Sequence, residues 1–397
     1  MRSAGWRVLA TVDHYPEAGY PGRNVPGDPV QPDRLSHRAV ESAPVSTSAS
    51  GTAASPGDQA VTAERCAAQL LRGDPATSAE EVAGHLLAIQ AQDPRGARLA
   101  VRARSAGLSA SDVDAALARR SLVVTWLNRG TLHLVRAEDY WWLQPLTTPQ
   151  LRTGNARRLA QEGVPPGDAE RGVAAVRAAL AADGPLTRAK LRERVAAAGV
   201  RTEGQALIHV LLLASIRGLI VRGPVAGKDQ AFVLASDWLG APPPAVGREA
   251  ALGELARRYL AGHAPAADRD LARWAGIGLR DARLGLARCG ARQRPDGLAE
   301  LPGPRREAAV LPPPRLLGAF DPLLLGWASR DPVIGPHRHI VTDNGLFRPF
   351  VLAGGRAVAT WTITGGKVLL APFAELGAET VAALDADAAD VTRFLAR

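Results

Sequence analysis

Apolar residues recur at helical spacing along most of the chain after Val61, and short apolar runs of strand length interrupt them. In the first part of the chain this pattern predicts four helices, over 62–72, 78–87, 94–104 and 109–119. Asp93-Pro94 is a typical helix start, with Asp as the N-cap and Pro at the first helical position. The apolar runs 122–127 and 131–135 flank Asn128-Arg129-Gly130 and predict a β-hairpin.

The same order of helices followed by a hairpin returns twice. The second copy consists of helices over 172–182, 187–198 and 204–218, then strands at 220–223 and 232–234 around a turn at 227–229. The third has helices over 248–262, 267–276 and 278–288, and a weak strand signal interrupted by Pro295. Helices followed by a hairpin are the order of a winged helix, so the pattern predicts tandem winged-helix modules.

The last part of the chain has a different character. Prolines at 302, 304 and 312–314 predict a boundary, beyond which short strands at 350–352, 357–364 and 367–370 precede a helix over 380–396. The predicted fold class is therefore α+β, with tandem winged-helix (helix-turn-helix) modules and a C-terminal β-rich module. Its predicted parts are a disordered tail at 1–58, rich in Pro, Gly, Ser and Thr, three winged-helix modules at 59–165, 166–246 and 247–310, and the β-rich module at 311–397.

The net charge of the chain indicates the kind of partner it binds. The 397 residues carry a formal net charge of +9, and nucleic acid is the usual partner of such a balance, because neutralised phosphates release counterions. Only three of the 48 basic residues are lysines, so part of the arginine excess reflects a high-GC coding bias. A basic surface kept for solubility is the alternative interpretation.

Several classes are excluded or disfavoured. Cys66 and Cys289 lie far apart, which argues against a zinc ribbon, an Fe–S cluster or a disulfide framework and fits a reducing cytoplasm. There is no apolar run of about 18 residues and no secretory signal, so we expect no membrane association. His337 and His339 are interpreted as loop histidines, and neither a metal nor a cofactor is expected.

Five sequence blocks, in this order, carry a family resemblance. They are Ile89-Gln-Ala-Gln-Asp-Pro94, Trp126-Leu-Asn-Arg-Gly-Thr-Leu-His-Leu-Val135, Asp268-Arg-Asp-Leu-Ala-Arg-Trp-Ala-Gly276, Leu317-Gly-Ala-Phe-Asp-Pro-Leu-Leu-Leu-Gly326 and Asn344-Gly-Leu-Phe-Arg-Pro349. Together they resemble the bacterial winged-helix DNA-binding family that includes the AlkZ-like and YcaQ-like DNA glycosylases. The likeness spans about 60–375.

The resemblance implies tandem winged helices around a DNA channel and hydrolysis of the N-glycosidic bond of alkylated purines. Gln90 and Gln92 match the Gln-x-Gln motif of the AlkZ-like branch, which is associated with resistance to DNA-alkylating natural products and with unhooking of interstrand crosslinks. Without the resemblance, the two glutamines read as polar residues at a helix–loop junction. Asp93 could supply a carboxylate, but its context favours an N-cap.

The neutral side chains of this motif limit its chemistry. A glutamine amide can hold a water by hydrogen bonds but cannot take its proton. An N7-alkylated purine is already cationic and leaves readily, so the predicted substrate is a cationic alkylated purine of the N7-alkylguanine type. Lys190 and Lys228 lie far from the glutamines in sequence, so we expect a monofunctional enzyme that forms no Schiff base.

Seven further residues are predicted to bind DNA, most of them in the hairpins or at the start of the second recognition helix: Arg129, His133, Arg201, Gln205, Arg222, Lys228 and Arg348. For His133 an interior strand position is an equal alternative, because Leu132 and Leu134 point to the opposite face. For Arg201, Gln205, Arg222 and Lys228 a solvated surface is the alternative.

Two other functions stay open at this point. One is a non-catalytic winged-helix DNA-binding protein or transcriptional regulator, and the other is a protein-interaction module. Under the glycosylase hypothesis the partner is double-stranded DNA, and the protein is expected to be a cytoplasmic, nucleoid-associated monomer.

Overall fold

The chain folds into a mixed arrangement of helices and antiparallel sheets. The computed structural model describes residues 7–11, 56–226, 229–303, 310–342 and 345–396. The helices of these parts are α1 Pro56–Ala68, α2 Ala79–Leu86, α3 Pro94–Arg102, α4 Ala110–Ala118, α5 Ala137–Thr147, α6 Leu151–Gln161, α7 Pro166–Asp183, α8 Arg188–Ala197, α9 Ala206–Ile216, α10 Ala235–Leu239, α11 Arg248–His263, α12 Asp268–Ala275, α13 Leu279–Arg288, α14 Pro322–Leu325, α15 Asp331–Ile334 and α16 Ala378–Leu395. The strands are β1 Arg7–Thr11, β2 Ile89–Gln90, β3 Leu122–Leu127, β4 Thr131–Arg136, β5 Ile220–Ala226, β6 Asp229–Leu234, β7 Arg292–Gln293, β8 Ala299–Glu300, β9 Arg315–Leu317, β10 Phe350–Ala353, β11 Arg356–Thr364 and β12 Lys367–Pro372.

One five-stranded sheet carries both predicted hairpins, in the order β2-β4-β3-β5-β6. The hairpin β3–β4 joins the hairpin β5–β6 where Val124 faces Arg222. The first two predicted modules therefore share a continuous sheet. A third, two-residue hairpin, β7–β8, follows the three helices α11, α12 and α13.

The turn between β3 and β4 has the conformation that its sequence favours. Asn128 and Gly130 both adopt positive φ, +52° and +80°, which Asn and Gly tolerate better than other residues. The Gly130 amide donates to the Leu127 carbonyl at 2.9 Å and closes the turn. Arg129 is thereby held at the tip of a rigid hairpin.

The second five-stranded sheet has the order β1-β12-β11-β10-β9, and α16 packs against it. Its edge strand corrects a prediction, because Arg7–Thr11 pair with β12 whereas residues 1–58 were expected to be disordered. Val8, Leu9 and Ala10 form a short apolar run within this otherwise polar segment, and backbone hydrogen bonds to β12 hold it as a strand. Residues 12–55 lie outside the described residues.

A buried ion pair ties the first helices to the segment between β9 and β10 of the C-terminal sheet. Arg104 donates to both carboxylate oxygens of Asp321, at 2.8 and 3.0 Å, and both side chains are fully buried. Gln69 accepts from the same guanidinium at 2.9 Å. This fork-shaped contact satisfies charges that would otherwise be unpaired in the core.

Most of the predicted elements lie where the sequence pattern put them, including three helices after residue 247 and three strands after residue 349. The first helix is shifted, since α1 runs over Pro56–Ala68 and not over 62–72. Helices α5 and α6 were not predicted, because α5 contains Pro145 and α6 is largely polar. None of the described helices combines the length and the apolarity needed to cross a bilayer.

Candidate active site

Gln90 is the last residue of the edge strand β2, and Gln92 follows two residues later, before α3. Ile89 and Ala91 are buried in the core that α2, α3 and α16 share. Since side chains alternate along an extended strand, Gln90 is turned away from that core. Pairing with β4 fixes this register, with Gln90 opposite His133 and the Ala91 amide donating to the Leu132 carbonyl at 2.7 Å.

Both amide oxygens accept a hydrogen bond from the β3–β4 hairpin. Arg129 Nη2 donates to Gln90 Oε1 at 3.4 Å, and the Leu132 amide donates to Gln92 Oε1 at 3.1 Å. Gln90 is 6% exposed, whereas Gln92 is exposed to solvent. The pair thus reaches from the protein interior to its surface.

Arg129 is held in place by the C-terminal end of α12. Its Nη1 donates to the carbonyl of Trp274 at 2.6 Å and to that of Arg273 at 3.2 Å. These carbonyls carry the partial negative charge of a helix C-terminus. Burial, together with the charges of Arg273 and Arg330, lowers the pKa of Arg129 to about 10, so the guanidinium remains charged at neutral pH.

The hairpin and α12 approach each other very closely at Gly276. This residue has φ +69°, and a Cβ there would come within 2.8 Å of the Asn128 carbonyl oxygen. Only glycine fits both the backbone conformation and the space. The glycine therefore sets the distance between Arg129 and the helix that holds it.

An open groove of about 440 Å³ lies beside this contact. Its lining residues come from the hairpin tip, from α12 and from the start of α13, namely Arg129, Arg269, Ala272, Arg273, Gly276, Ile277 and Leu279. Three of the seven are arginines, and no acidic residue is among them. The groove is therefore strongly basic.

His133 lies opposite Gln90 on β4, is buried, and is not among the residues that line the groove. Its side chain is 2% exposed, and Nδ1 lies 2.8 Å from the Thr131 carbonyl. Burial and the nearby charge of Arg129 lower its pKa to about 3, so the ring is neutral at physiological pH. The structure thus corrects the expectation that His133 contacts DNA and supports the interior alternative.

Asp93 serves as the N-cap of α3. Its Oδ1 accepts from the Gly96 amide at 2.8 Å, as the Asp-Pro context predicts. Gly96 lies against the fourth family block, Leu317–Gly326, because a Cβ there would clash with the Ala319 carbonyl oxygen. The Asp93 carboxylate is therefore engaged in starting a helix.

The predicted residues of the second hairpin and its helix lie away from the glutamines in sequence and have local partners. Arg201 is exposed, and its guanidinium lies 3.7 Å from the Glu203 carboxylate. The backbone N–H of Gln205 donates to the Glu162 carboxylate at 2.9 Å. These two carboxylates make the start of α9 less attractive to phosphate than the sequence suggested.

Arg222 does not project from the hairpin as expected. Its guanidinium lies 4.0 Å from the ring centre of Phe232 and 5.4 Å from that of Trp126. Burial lowers its pKa to about 10. The structure thus corrects the wing expectation, because this side chain packs on aromatic rings and is largely shielded from a DNA backbone.

Lys228 lies outside the described residues, and Arg348 is exposed beside the buried ring of Phe347. That Arg348 contacts DNA stays a prediction. Within the described ranges, no group of three or more His, Cys, Asp or Glu side chains is placed to hold a metal ion.

Sequence reasoning missed the arginines around Arg129. Arg269 and Arg273 line the groove, and Arg330 lies close enough to affect the Arg129 pKa. Arg269 and Arg273 belong to the family block Asp268–Gly276, so the resemblance had already marked this segment. What the sequence did not reveal was that the end of this helix meets the hairpin.

Comparison with known proteins identifies the family. The model of the family described as DNA glycosylase AlkZ-like matches residues 83–394, which is most of the chain. The chain belongs to the AlkZ-like DNA glycosylase family. A relative from Streptomyces sahachiroi, called an interstrand DNA cross-link repair glycosylase, is 30% identical over 363 residues, covering 84% of this chain and 95% of its own.

A solved structure agrees with this assignment. The fold matches that of the Streptomyces sahachiroi DNA glycosylase AlkZ with a TM-score of 0.71 and 28% identity, over 85% of this chain and 96% of the other. The AlkZ-like chain is thus a DNA glycosylase that acts on DNA, as the sequence resemblance implied. Family membership favours this function over a non-catalytic regulator or a protein-interaction module.

Proposed function

We propose that this glycosylase hydrolyses the N-glycosidic bond of cationic alkylated purines in DNA, with the attacking water held by Gln90 and Gln92. The observation that carries the proposal is that both amide oxygens accept hydrogen bonds from the β3–β4 hairpin, whose tip residue Arg129 lines a basic groove. The groove supplies attraction for the DNA backbone, and the amides supply hydrogen bonds for the water.

The two side-chain amides are suited to hold a water by hydrogen bonds. A carbonyl oxygen has two lone pairs, and one lone pair of each oxygen is used by Arg129 or by the Leu132 amide. Hydrogen bonds between a water and these amides would orient the water so that its own lone pair faces C1′. Such positioning lowers the entropic barrier without a proton acceptor.

Among the residues that the structure describes beside the two amides, none is a free strong base, and this limits the substrate class that we propose. Gln90 and Gln92 do not ionise, His133 is neutral and buried, and Asp93 caps a helix. A water that is only positioned attacks well when the leaving group is already activated by positive charge. Normal purines lack that charge, so undamaged DNA would be spared.

The few lysines support a monofunctional reaction that leaves an abasic site. Lys190 on α8 pairs with Glu193 at 3.2 Å, and Lys367 lies at the exposed start of β12. A bifunctional enzyme needs an amine close to C1′ for a Schiff base.

The named relative acts on interstrand crosslinks, and we propose that activity for this chain also. A crosslink through N7 of guanine is a cationic N-alkylpurine, so the same chemistry applies to it. We further propose that the three helix–hairpin units act as tandem winged-helix modules that hold double-stranded DNA. The enzyme would then work as a monomer at the nucleoid in the cytoplasm.

The test is mass spectrometry of the bases released from methylated duplex DNA. The proposal predicts release of 7-methylguanine, no release of guanine or adenine from undamaged duplex, and abasic product that borohydride does not trap on the protein. Release of normal purines at a comparable rate, or a trapped covalent adduct, would contradict it.

A further inference from the structure

We propose that the groove between Arg129 and α12 is a phosphate subsite, in which Arg269 and Arg273 bind the DNA backbone beside the reacting nucleotide. The proposal rests on the proposed function in one respect, because that function places the reacting nucleotide at Gln90 and Gln92. The chemical class of the ligand is a phosphodiester of duplex DNA.

The first argument is the arrangement of charge on α12. Arg269 and Arg273 are four residues apart, so they are neighbours on one exposed face, whereas Leu271 and Trp274 are buried on the other. Two like charges at this spacing destabilise an isolated helix. Among the described residues neither arginine forms a salt bridge, although the charge of Arg269 is close enough to Asp268 to help lower the pKa of that carboxyl.

The acidic residues of the same helix are engaged elsewhere. Asp268 pairs with Arg283 at 2.6 Å. Asp270 is buried, where it accepts from the Ala267 amide at 2.8 Å and from the Ala328 amide at 2.9 Å. The acidic residues of α12 thus form their salt bridge and hydrogen bonds with groups other than the side chains of Arg269 and Arg273.

Position along the helix gives a second argument. Arg269 lies in the first turn of α12, where the helix dipole disfavours a cation. Within the described part of the fold, the electrostatic interaction of Arg269 with a carboxylate is the one with Asp268. An anion bound in the groove would explain a cation at this place, since a phosphate between two guanidinium groups forms strong charge-assisted hydrogen bonds.

A third argument is the connection to the glutamines. Arg129 lines the groove and donates to Gln90, and its other nitrogen is fixed on the carbonyl of Trp274. A phosphate in this groove would thus lie one side chain away from the amide that we assign to the water. This arrangement sets the register of the duplex relative to the site of hydrolysis.

The experiment measures binding of an undamaged duplex at several salt concentrations, so that hydrolysis does not enter. The variants are Arg269→Ala, Arg273→Ala and their double, with Arg269→Lys and Arg273→Lys to restore charge. Arg177→Ala is the matched control, because Arg177 is an exposed arginine on α7 and does not line the groove.

Each alanine variant should weaken binding about tenfold and reduce the slope of log K against log salt by about 1. The lysine variants should restore most of the slope, and Arg177→Ala should leave it unchanged. A double variant that melts like the wild type but keeps the full slope overturns the proposal, and so does an equal loss in Arg177→Ala. The slope is independent of base release, so a failure of the glutamine mechanism would leave this result intact.

Discussion

Arg129 donates to the Gln90 amide oxygen at 3.4 Å while the end of α12 holds its other nitrogen. The guanidinium is planar and forked, so it can serve both partners at once, whereas a lysine ammonium is a single point charge. The relationship makes Arg129 a positioning residue that acts through Gln90.

Arg129→Lys should therefore lower the single-turnover rate of base release about 10- to 100-fold while duplex affinity changes little, because the charge is kept but the geometry is lost. Single-turnover kinetics and equilibrium binding, measured on the same lesion duplex, separate the two effects. A lysine variant with the wild-type rate would show that catalysis does not need the two-sided contact of the guanidinium.

Replacing Gly276 tests whether the hairpin must approach α12 so closely. Gly276→Ala should destabilise the fold by about 1–3 kcal/mol and should also lower the rate, because a methyl group would push Asn128 and Arg129 away from the helix. Gly290→Ala is a matched control, since Gly290 has a similar φ of +66° but open space around its Cα. The control should lose some stability and keep its rate, and equal rates in both variants would contradict the account.

The pH dependence follows from the groups around the glutamines. His133 has a pKa of about 3 and is neutral above that value, whereas Arg129 has a pKa of about 10 and is protonated below it. Neither changes charge between pH 5.5 and 8.5, so the single-turnover rate should be flat over this range. A rate that rises or falls tenfold per pH unit within the range would reveal an ionising acid or base and exclude catalysis by amides alone.

The buried pair of Arg104 and Asp321 should dominate the stability of this part of the fold. Asp321→Asn leaves a fully buried guanidinium without its carboxylate and should lower the free energy of unfolding by about 3–5 kcal/mol. Asp168→Asn breaks the surface pair with Arg171 and should lower it by less than about 1 kcal/mol. Urea unfolding measures the free energy of unfolding of both variants. Equal losses would show that the buried pair stabilises the fold no more than the surface pair does.

The sequence predicted local structure well where the pattern is local. The helix start at Asp93, the turn at Asn128-Arg129-Gly130 and the three helices after residue 247 all follow from capping, turn and periodicity signals. The glutamine motif came only from the family resemblance. Nothing in its spacing alone distinguished it from a polar junction.

The sequence failed where the structure depends on distant contacts. Periodicity cannot show that α12 ends against a hairpin more than 100 residues earlier, so Arg269 and Arg273 were not recognised. Nor can it show that Arg222 folds back onto Phe232 or that residues 7–11 pair with β12. Each of these depends on tertiary packing, which a window of neighbouring residues does not contain.

The most direct test of the central claim compares Gln90→Ala and Gln92→Ala with the wild type on one duplex that contains 7-methylguanine. Both variants should bind this duplex with affinity close to that of the wild type, since the arginines of the groove are intact, and each should release the base at least about 100-fold more slowly in single turnover. Wild-type release by both variants would contradict the account, because the water would then be held by other groups.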